Sequence, residues 1–427
     1  MKRFTHYLML PIICIGLVND CLGDPMSVSI TKEVLLTPGE ALTSLGITST
    51  PDDQMIVTGT QVGTKMGIAS KLDREGKVIW NYRSQQPKLA LMDLAHWPDI
   101  TGASVLKNGD ILLCGNDTIT DIASIENNKG TGISSKPVGK FIKLTANGKL
   151  IEQFNVTPSS SFDIRLADIR KCGRWGDGTY AIGSALKIFP YAGDASLPHK
   201  NKTERLLWLI RTDAQGKVMW EKLIPTTLGS VDELATPQLL AGSDLVFSAI
   251  GNGSTFVDVG DNRWTDLLRV SPEGIVKSQR QIPGYNLLVR KTGVEQPLAI
   301  LHMSFLNQEH TNHKLLYLDE SFATVKQRDL ATLLTASNAP YFDQQNGLML
   351  FGSGTKDGVT IPSFTRIDLA DDKTEIVSLP MGRDDHYDIS DAAALLSPGN
   401  FAFVRERTNS SIPGNHFATG VTLINLR

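Results

Sequence analysis

Short apolar runs alternate with turn-forming residues along most of the chain, and the clearest example spans residues 104–156. It reads SVLKNGDILLCGND, then a polar stretch, then GKFIKLTANGKLIEQFNV. Asn108-Gly109 and Asn147-Gly148 each stand between two apolar runs. This pattern predicts a two-residue type I′ hairpin, in which both central residues take positive φ. We therefore predict two successive hairpins, which together form the four-stranded meander of a β-propeller blade.

The second of these hairpins recurs along the chain, with a glycine turn at Gly76, Gly148, Gly216 and Gly274. The intervals between these turns are unequal. Unequal intervals favour a propeller over a solenoid, because each blade closes its own hydrogen bonds and tolerates insertions. With weaker copies toward the C-terminal residues, the pattern predicts an all-β fold. We expect a seven-bladed β-propeller of four-stranded antiparallel meanders, forming a single domain over residues 24–427.

One alternating segment, residues 27–36 (SVSITKEVLL), has no hairpin partner beside it. The last blade, which ends in GVTLINLR, lacks a fourth strand. A propeller must join its last blade to its first, since otherwise it leaves exposed strand edges. We predict that residues 27–36 pair with residues 420–426 as the outer strand of the seventh blade.

Two phrases, KLDREGKVIW (71–80) and RTDAQGKVMW (211–220), resemble the outer hairpin of secreted bacterial β-propellers with PQQ-like or WD-like repeats. The resemblance implies the fold and says little about activity. Quinone-dependent dehydrogenases of this kind are similar in carrying a Gly/Trp docking motif in nearly every blade. Here Trp80 and Trp220 hold that position, while Phe154 replaces it in blade two and Ser278 lies near it in blade four. We therefore do not expect a quinone to bind.

The N-terminal residues predict a targeting segment. Lys2 and Arg3 precede the apolar stretch 7–18, which has the length of a signal-peptide core and is short for a membrane span. We expect a signal peptide over residues 1–23, cleaved after Gly23. The alternative is a lipoprotein acylated on Cys21. Either interpretation predicts an exported protein, periplasmic or secreted.

Charge and hydropathy exclude two classes of partner. The formal net charge of −3 gives no electrostatic basis for binding nucleic acid. Beyond the N-terminal segment, no apolar run is long enough for a transmembrane helix. We expect a monomer that binds a small polar ligand or a protein partner.

Two cysteines, Cys114 and Cys172, remain after the predicted signal peptide. Two are too few for a disulfide-held scaffold, so the apolar core must stabilise the fold. We predict two free, buried thiols, because a buried free cysteine behaves as a small hydrophobic residue.

Long polar segments are predicted to join the second strand of each blade to the third, and each blade to the next. Alternate connections of a meander lie on opposite faces, so one face should carry tight turns and the other the loops, where function usually resides. All histidines after the signal peptide are predicted to lie in these loops: His96, His199, His302, His310, His313, His386 and His416. Either these are ordinary exposed loop residues, or they mark a binding face.

The crossings between blades suggest a site at the mouth of the central channel. Charged residues that lie in these crossings but outside the predicted ligand-binding set are Asp99, Arg170, Asp232, Glu233, Arg383 and Asp391. The alternative to a shared site is that each aspartate accepts hydrogen bonds from the backbone of its own loop and so caps that loop. The predicted ligand-binding residues come from three crossings: Asp93, His96, Trp97, Asp163, Arg165, Asp168, Asp385, His386 and Asp388.

Catalytic motifs do not emerge from the sequence. It contains no Walker-type loop, G-x-S-x-G, H-E-x-x-H or EF-hand loop, and His310 and His313 form an H-x-x-H pair without an indicated third ligand. We predict an exported, non-catalytic binding or scaffold propeller that requires no cofactor. The alternative is a metal-assisted hydrolase or lyase that acts on a sugar or lactone at the channel mouth. That enzyme would use a divalent cation, Ca²⁺ or Zn²⁺.

Overall fold

Seven antiparallel sheets follow one another in chain order in the computed structural model. Every regular element among the described residues is a β-strand. The structure describes residues 28–37, 42–61, 66–84, 100–120, 135–159, 164–188, 203–240, 243–252, 263–291, 296–306, 309–330, 336–337, 340–343, 347–356, 359–370, 373–378, 385–397, 400–409 and 417–426.

Each blade contains four successive strand positions, and in blades four and six the first position is divided into two short strands. The first strand in chain order is β1 (Val28–Thr37). Blade one consists of β2 (Leu42–Ser49), β3 (Met55–Gln61), β4 (Gly67–Leu72) and β5 (Val78–Arg83). Blade two consists of β6 (Ile100–Val105), β7 (Ile111–Thr120), β8 (Ser135–Leu144) and β9 (Leu150–Val156). Blade three consists of β10 (Ile164–Trp175), β11 (Gly178–Ile188), β12 (Thr203–Thr212) and β13 (Val218–Pro225).

The remaining blades follow the same plan. Blade four consists of β14 (Glu233–Leu234), β15 (Gln238–Leu239), β16 (Leu245–Asn252), β17 (Arg263–Val270) and β18 (Val276–Pro283). Blade five consists of β19 (Tyr285–Leu288), β20 (Leu298–Leu306), β21 (Glu309–Leu318) and β22 (Thr324–Leu330). Blade six consists of β23 (Ala336–Ser337), β24 (Tyr341–Phe342), β25 (Leu348–Lys356), β26 (Val359–Ile367) and β27 (Thr374–Ser378). Blade seven consists of β28 (Asp385–Ser397), β29 (Asn400–Asn409), β30 (Phe417–Leu426) and β1.

The N-terminal strand closes the ring, as the sequence predicts. β1 pairs antiparallel with β30, and Val34 lies opposite Val421. Val34 and Leu36 pack against the apolar cluster shared by blades seven and one. The seven-bladed all-β fold is confirmed, and so is its closure.

The hydrophobic core lies in the seams between blades. Ile56 of blade one packs with Leu113 of blade two, and Val57 packs with Leu423 of blade seven. Between blades six and seven, the rings of Tyr341 and Phe401 are 5.0 Å apart. Each blade therefore buries apolar side chains against both neighbours, and the ring is held by seams rather than by one central core.

The hairpin turns occur where predicted, but their type differs. Gly109 and Gly148 have φ of 86° and 79°, whereas no asparagine among the described residues has positive φ. Gly148 N donates to Thr145 O at 2.9 Å, and the β8–β9 register then shifts beside Leu144. This is a type I turn followed by a left-handed glycine, the three-residue loop with a G1 bulge. The predicted type I′ turn is wrong, because only one of its two central residues takes positive φ.

The Gly/Trp motif locks neighbouring blades together. Trp80 Nε1 donates to Ala146 O at 3.0 Å, and Trp220 Nε1 donates to Pro272 O at 3.0 Å. In each case the indole lies against the turn glycine of the next blade. A Cβ added to Gly148 would lie 2.6 Å from the ring of Trp80. The motif is thus a structural contact between blades.

The predicted free thiols are wrong, because Cys114 and Cys172 form a disulfide with Cα atoms 6.4 Å apart. Cys114 lies opposite Gly102 in blade two, and a Cβ on Gly102 would lie 3.0 Å from Cys172 N. The missing side chain lets β10 approach β6 closely enough for a bridge. The sequence gives no sign of this approach, since the two cysteines are 58 residues apart.

The prediction that every histidine lies in a loop is also wrong. His302 and His313 lie on β20 and β21, where His302 pairs with Lys314 and His313 pairs with Met303. His386 lies on β28. These strands continue beyond their most apolar parts, so their polar ends resembled loops in the sequence.

Candidate functional site

The central channel is surrounded by the first strand of each blade. First strands contact one another between neighbouring blades, as β2 contacts β6 and β28, and β6 contacts β10. All of them begin at the face where one blade crosses to the next. We call this the loop-rich face.

In blades one to four, the two faces differ in the length of their connections. The loop-rich face carries the long segments 84–99, 121–134, 189–202 and 253–262. The opposite face carries short turns, such as 73–77 and 145–149. The loop-rich face can therefore vary in sequence without disturbing the blades.

The structure describes only part of the predicted site. Asp93, His96, Trp97 and Asp163 lie outside the described residues. Arg165 lies near the start of β10, and Asp385, His386 and Asp388 lie near the start of β28, but their side chains are not described. Both strands begin at the loop-rich face, in blades three and seven. The common site proposed for these residues stays a prediction.

Asp168 is the predicted site residue whose side chain is described. Its Oδ1 accepts from Ser184 N at 3.1 Å and from Ser184 Oγ at 2.6 Å. Its Oδ2 accepts from Arg170 Nε at 2.7 Å. Both oxygens are thus engaged with neighbouring side chains and backbone, and the carboxylate helps to hold β10 to β11.

Arg170 extends this network across the seam to blade four. Its Nη1 donates to Asp232 O at 3.0 Å and also to Val231 O. The crossing 226–232 is therefore attached to the inner strand of blade three. Asp232 contributes its backbone carbonyl to this contact, while its residue is exposed at the surface.

Arg205 lies in the same seam, at the start of β12, and is half-buried. Burial lowers the pKa of its guanidinium, while the charges of Asp168 and Asp232 oppose that change and the charge of Arg170 adds to it. Its Nε is buried and has no hydrogen-bond partner within the described part of the chain. Arg205 is absent from the predicted site residues. A charged residue directly before the apolar run LLWLI is the signal that was available.

A second polar cluster lies between blades four and five. The Asn286 side-chain nitrogen donates to Thr265 Oγ1, Pro283 O and Gly284 O at 3.1–3.2 Å. Its Oδ1 lies 2.8 Å from His302 Nδ1. Because an amide oxygen can only accept, His302 Nδ1 carries the proton in this contact. This cluster fixes the orientation of His302 at the loop-rich end of the seam.

Glu233 also bridges two blades, since it accepts a hydrogen bond from the Tyr285 hydroxyl. Asp168 and Glu233 therefore join separate strands or blades instead of capping their own loops. These two carboxylates are therefore neither free ligand-binding groups at the channel mouth nor local caps of their own loops.

Two grooves lined by described residues lie away from the channel mouth. One, of about 960 Å³, lies between the outer strands of blades two and three, where Phe154 and Trp220 contribute to its wall. The other, of about 510 Å³, lies between blades seven and one, beside Asp53 and Arg74. Neither groove is lined by a predicted site residue.

Within the described ranges, no three His, Cys, Asp or Glu side chains come together as a metal site would require. Among the same residues, no helix is long and apolar enough to cross a membrane.

No known family profile and no curated protein matches this chain. Solved structures do resemble it. The polysaccharide lyase Uly1 is 10% identical, with a TM-score of 0.52 over 93% of this chain and 99% of its own. A protein of unknown function from Dyadobacter fermentans DSM 18053 is 12% identical, with a TM-score of 0.47 over 94% of this chain and 99% of its own. The β-propeller domain of the Trilobed protease from Pyrococcus furiosus is 8% identical, with a TM-score of 0.44 over 90% and 93% of the two chains. At these identities the resemblance shows the fold alone: this chain is a β-propeller.

Proposed function

We propose that this chain is an exported binding or scaffold propeller, which recognises a small polar ligand or a protein partner on its loop-rich face. The observation that carries the proposal is the use of charged groups at the channel mouth. Asp168 and Arg170 bond to each other, to Ser184 and to the crossing into blade four. Because the Asp168 carboxylate is held by these hydrogen bonds, it is suited to stabilising the protein surface. A general acid or base would instead need a carboxyl group that can exchange a proton with a substrate.

The difference between the two faces supports the same function. In blades one to four, long connections on one face and short turns on the other resemble a rigid platform that presents loops. Export is supported by the buried disulfide between Cys114 and Cys172, because disulfides persist in oxidising compartments. The proposed signal peptide, residues 1–23, is consistent with that environment. We further propose that the ring acts as a monomer.

The test uses a panel of monosaccharides, lactones and dipeptides, each added to the purified protein while its melting temperature is measured. Any compound that raises the melting temperature is retested on a variant with residues 189–202 replaced by a short Gly-Ser linker. A control variant, Lys107→Ala/Asn108→Ala, changes the opposite face. We expect the linker variant to lose the effect and the control to keep it. The reverse result would place the binding surface elsewhere and overturn the proposal.

The second candidate is a metal-assisted hydrolase or lyase that acts on a sugar or lactone. The observation that favours this candidate is that the polysaccharide lyase Uly1 has a similar fold. The same panel is examined for products by mass spectrometry, with and without EDTA, and the purified protein is analysed for Ca²⁺ and Zn²⁺. Turnover that EDTA abolishes, together with stoichiometric metal, would favour the enzyme.

A further inference from the structure

Arg205 combines a positive charge, burial and a missing hydrogen-bond partner. It is half-buried at the loop-rich end of the seam between blades three and four. Its Nε is enclosed and has no acceptor in the described part of the protein. Buried guanidinium groups are normally paired, so an unsatisfied N–H of this kind calls for an explanation.

The neighbouring carboxylates do not supply the missing partner. Asp168 already accepts from Arg170 and Ser184 through both oxygens. Asp232 is exposed, so water and salt screen its charge. Both residues act on Arg205 through charge alone. Since Asp168 balances Arg170, the charge of Arg205 is the one left without a bonded counter-ion in this cluster.

The surroundings suit a small ligand. Apolar side chains of the same seam, Leu207, Leu228 and Val231, are buried beside the cluster. They lower the local polarity, which strengthens any charge interaction that forms there. The planar fork of a guanidinium matches the two oxygens of a carboxylate better than it matches a neutral hydroxyl.

We propose that Arg205 is the anchor for a carboxylate carried by a small ligand on the loop-rich face. The inference rests on the proposed function and names its ligand class, an organic anion. The carboxylate accepts from the Arg205 guanidinium, and Arg170 adds attraction through space while its own donors stay engaged.

The experiment follows the side-chain ¹⁵Nε–Hε resonance of Arg205 in the full chain at constant ionic strength. The probes are acetate and D-glucuronate, with acetamide and D-glucose as neutral counterparts, and inorganic sulfate as a competing oxyanion. We expect both carboxylates to shift the resonance and both neutral compounds to leave it in place. Displacement of D-glucuronate by millimolar sulfate would show a general oxyanion site, whereas resistance to sulfate would show selectivity for a carboxylate. Absence of any shift with both carboxylates overturns the proposal.

The variants are Arg205→Gln and Arg205→Lys, with the exposed Arg83→Gln as the matched control. We expect Arg205→Gln to weaken D-glucuronate binding about 10- to 100-fold, the effect of losing a charged hydrogen bond. Arg205→Lys keeps the positive charge but not the planar fork of donors, so its affinity for D-glucuronate should lie between those of the parent and of Arg205→Gln. Arg83→Gln should bind D-glucuronate as the parent does. Equal binding by all three variants contradicts the proposal. If Arg205→Gln does not fold, the wild-type resonance and the lysine variant still decide.

The two proposals fail differently. One result is a neutral ligand whose binding requires residues 189–202 but is unchanged in Arg205→Gln. That result would support the proposed binding function and contradict the anion site at Arg205. An anion whose binding requires Arg205 but not residues 189–202 would support the anion site and contradict the proposed role of those residues in binding.

Discussion

At the scale of single residues, the turn of blade five shows two physical effects in conflict. In blades one to four the second-hairpin turn places a glycine at positive φ, whereas the turn of blade five has Phe322, with φ of 65°. A left-handed conformation costs a non-glycine residue about 1–2 kcal/mol. Phe322 is fully buried and packs with Val246 and Leu267 of blade four. The gain from burying the ring therefore exceeds the backbone strain.

Replacing this phenylalanine with glycine tests which effect is larger. Phe322→Gly relieves the strain but removes a buried ring worth about 3–5 kcal/mol. We expect a net loss of about 1–4 kcal/mol in the free energy of unfolding, measured by urea denaturation. Phe322→Leu, which keeps most of the apolar volume, is the control and should lose less. A glycine variant more stable than the parent would show that strain dominates.

Asp266 gives a prediction about pH. It is buried, 1% exposed, and burial raises the pKa of its carboxyl, while hydrogen bonds from Thr226, Thr227 and Gln279 oppose the rise. A raised folded-state pKa means that its stabilising contribution is present below the ordinary carboxyl pKa. That contribution is lost as pH rises through the folded-state value.

We therefore expect Asp266→Asn to become more stable relative to the parent as pH rises from about 4 to 7, where the carboxyl ionises. Urea denaturation of both proteins at a series of pH values measures the difference. Asp329→Asn, at an exposed carboxylate, is the control and should show little such trend. A difference for Asp266→Asn that does not change with pH would contradict the assignment.

At the scale of elements, side chains of blades one, two and three donate hydrogen bonds to the outer-hairpin turn of the following blade. Trp80 and Trp220 donate to carbonyls in these turns, and between blades two and three Lys143 Nζ donates to Gln215 O at 2.7 Å. Different side chains thus make an equivalent contact. This explains why the sequence motif weakens in some blades while the architecture is kept.

Two glycines separate the cost of the backbone conformation from the cost of losing this contact. Gly109→Ala and Gly148→Ala both place a side chain at positive φ, and a Cβ at Gly109 would meet nothing within 4 Å. At Gly148 it would collide with the ring of Trp80. We expect Gly109→Ala to cost about 1–2 kcal/mol and Gly148→Ala clearly more, by chemical denaturation. Equal losses would mean that the docked indole contributes nothing.

At the scale of the whole molecule, the ring depends on the pairing of β1 with β30. Val34 and Leu36 are partly buried against the cluster of blades seven and one, and the last blade has no other outer strand in the described chain. The first and last strands are therefore held together across nearly the full sequence. This long-range pairing closes the ring.

A variant that lacks residues 1–36 should melt at a lower temperature than one that lacks residues 1–23, because the longer deletion opens a strand edge and uncovers apolar surface. Loss of the contacts of the partly buried Val34 and Leu36 alone should cost about 1–3 kcal/mol. Circular dichroism melts of the deletion variant and of the exposed control Ser29→Ala provide the measurement. If both melt at the parent's temperature, the closure does not stabilise the ring.

The sequence by itself determined the repeat, the hairpins and the closing strand. These depend on local information: alternation of apolar residues with a period of two, and glycine at turn positions. Only the tertiary structure decided the features that depend on close approach between blades. The disulfide forms where Gly102 leaves room for Cys172, and within the described residues Arg205 Nε has no hydrogen-bond partner, while Asp168 accepts from Arg170 and Ser184. Such contacts join residues far apart in sequence, whose distance is fixed by the geometry of the ring.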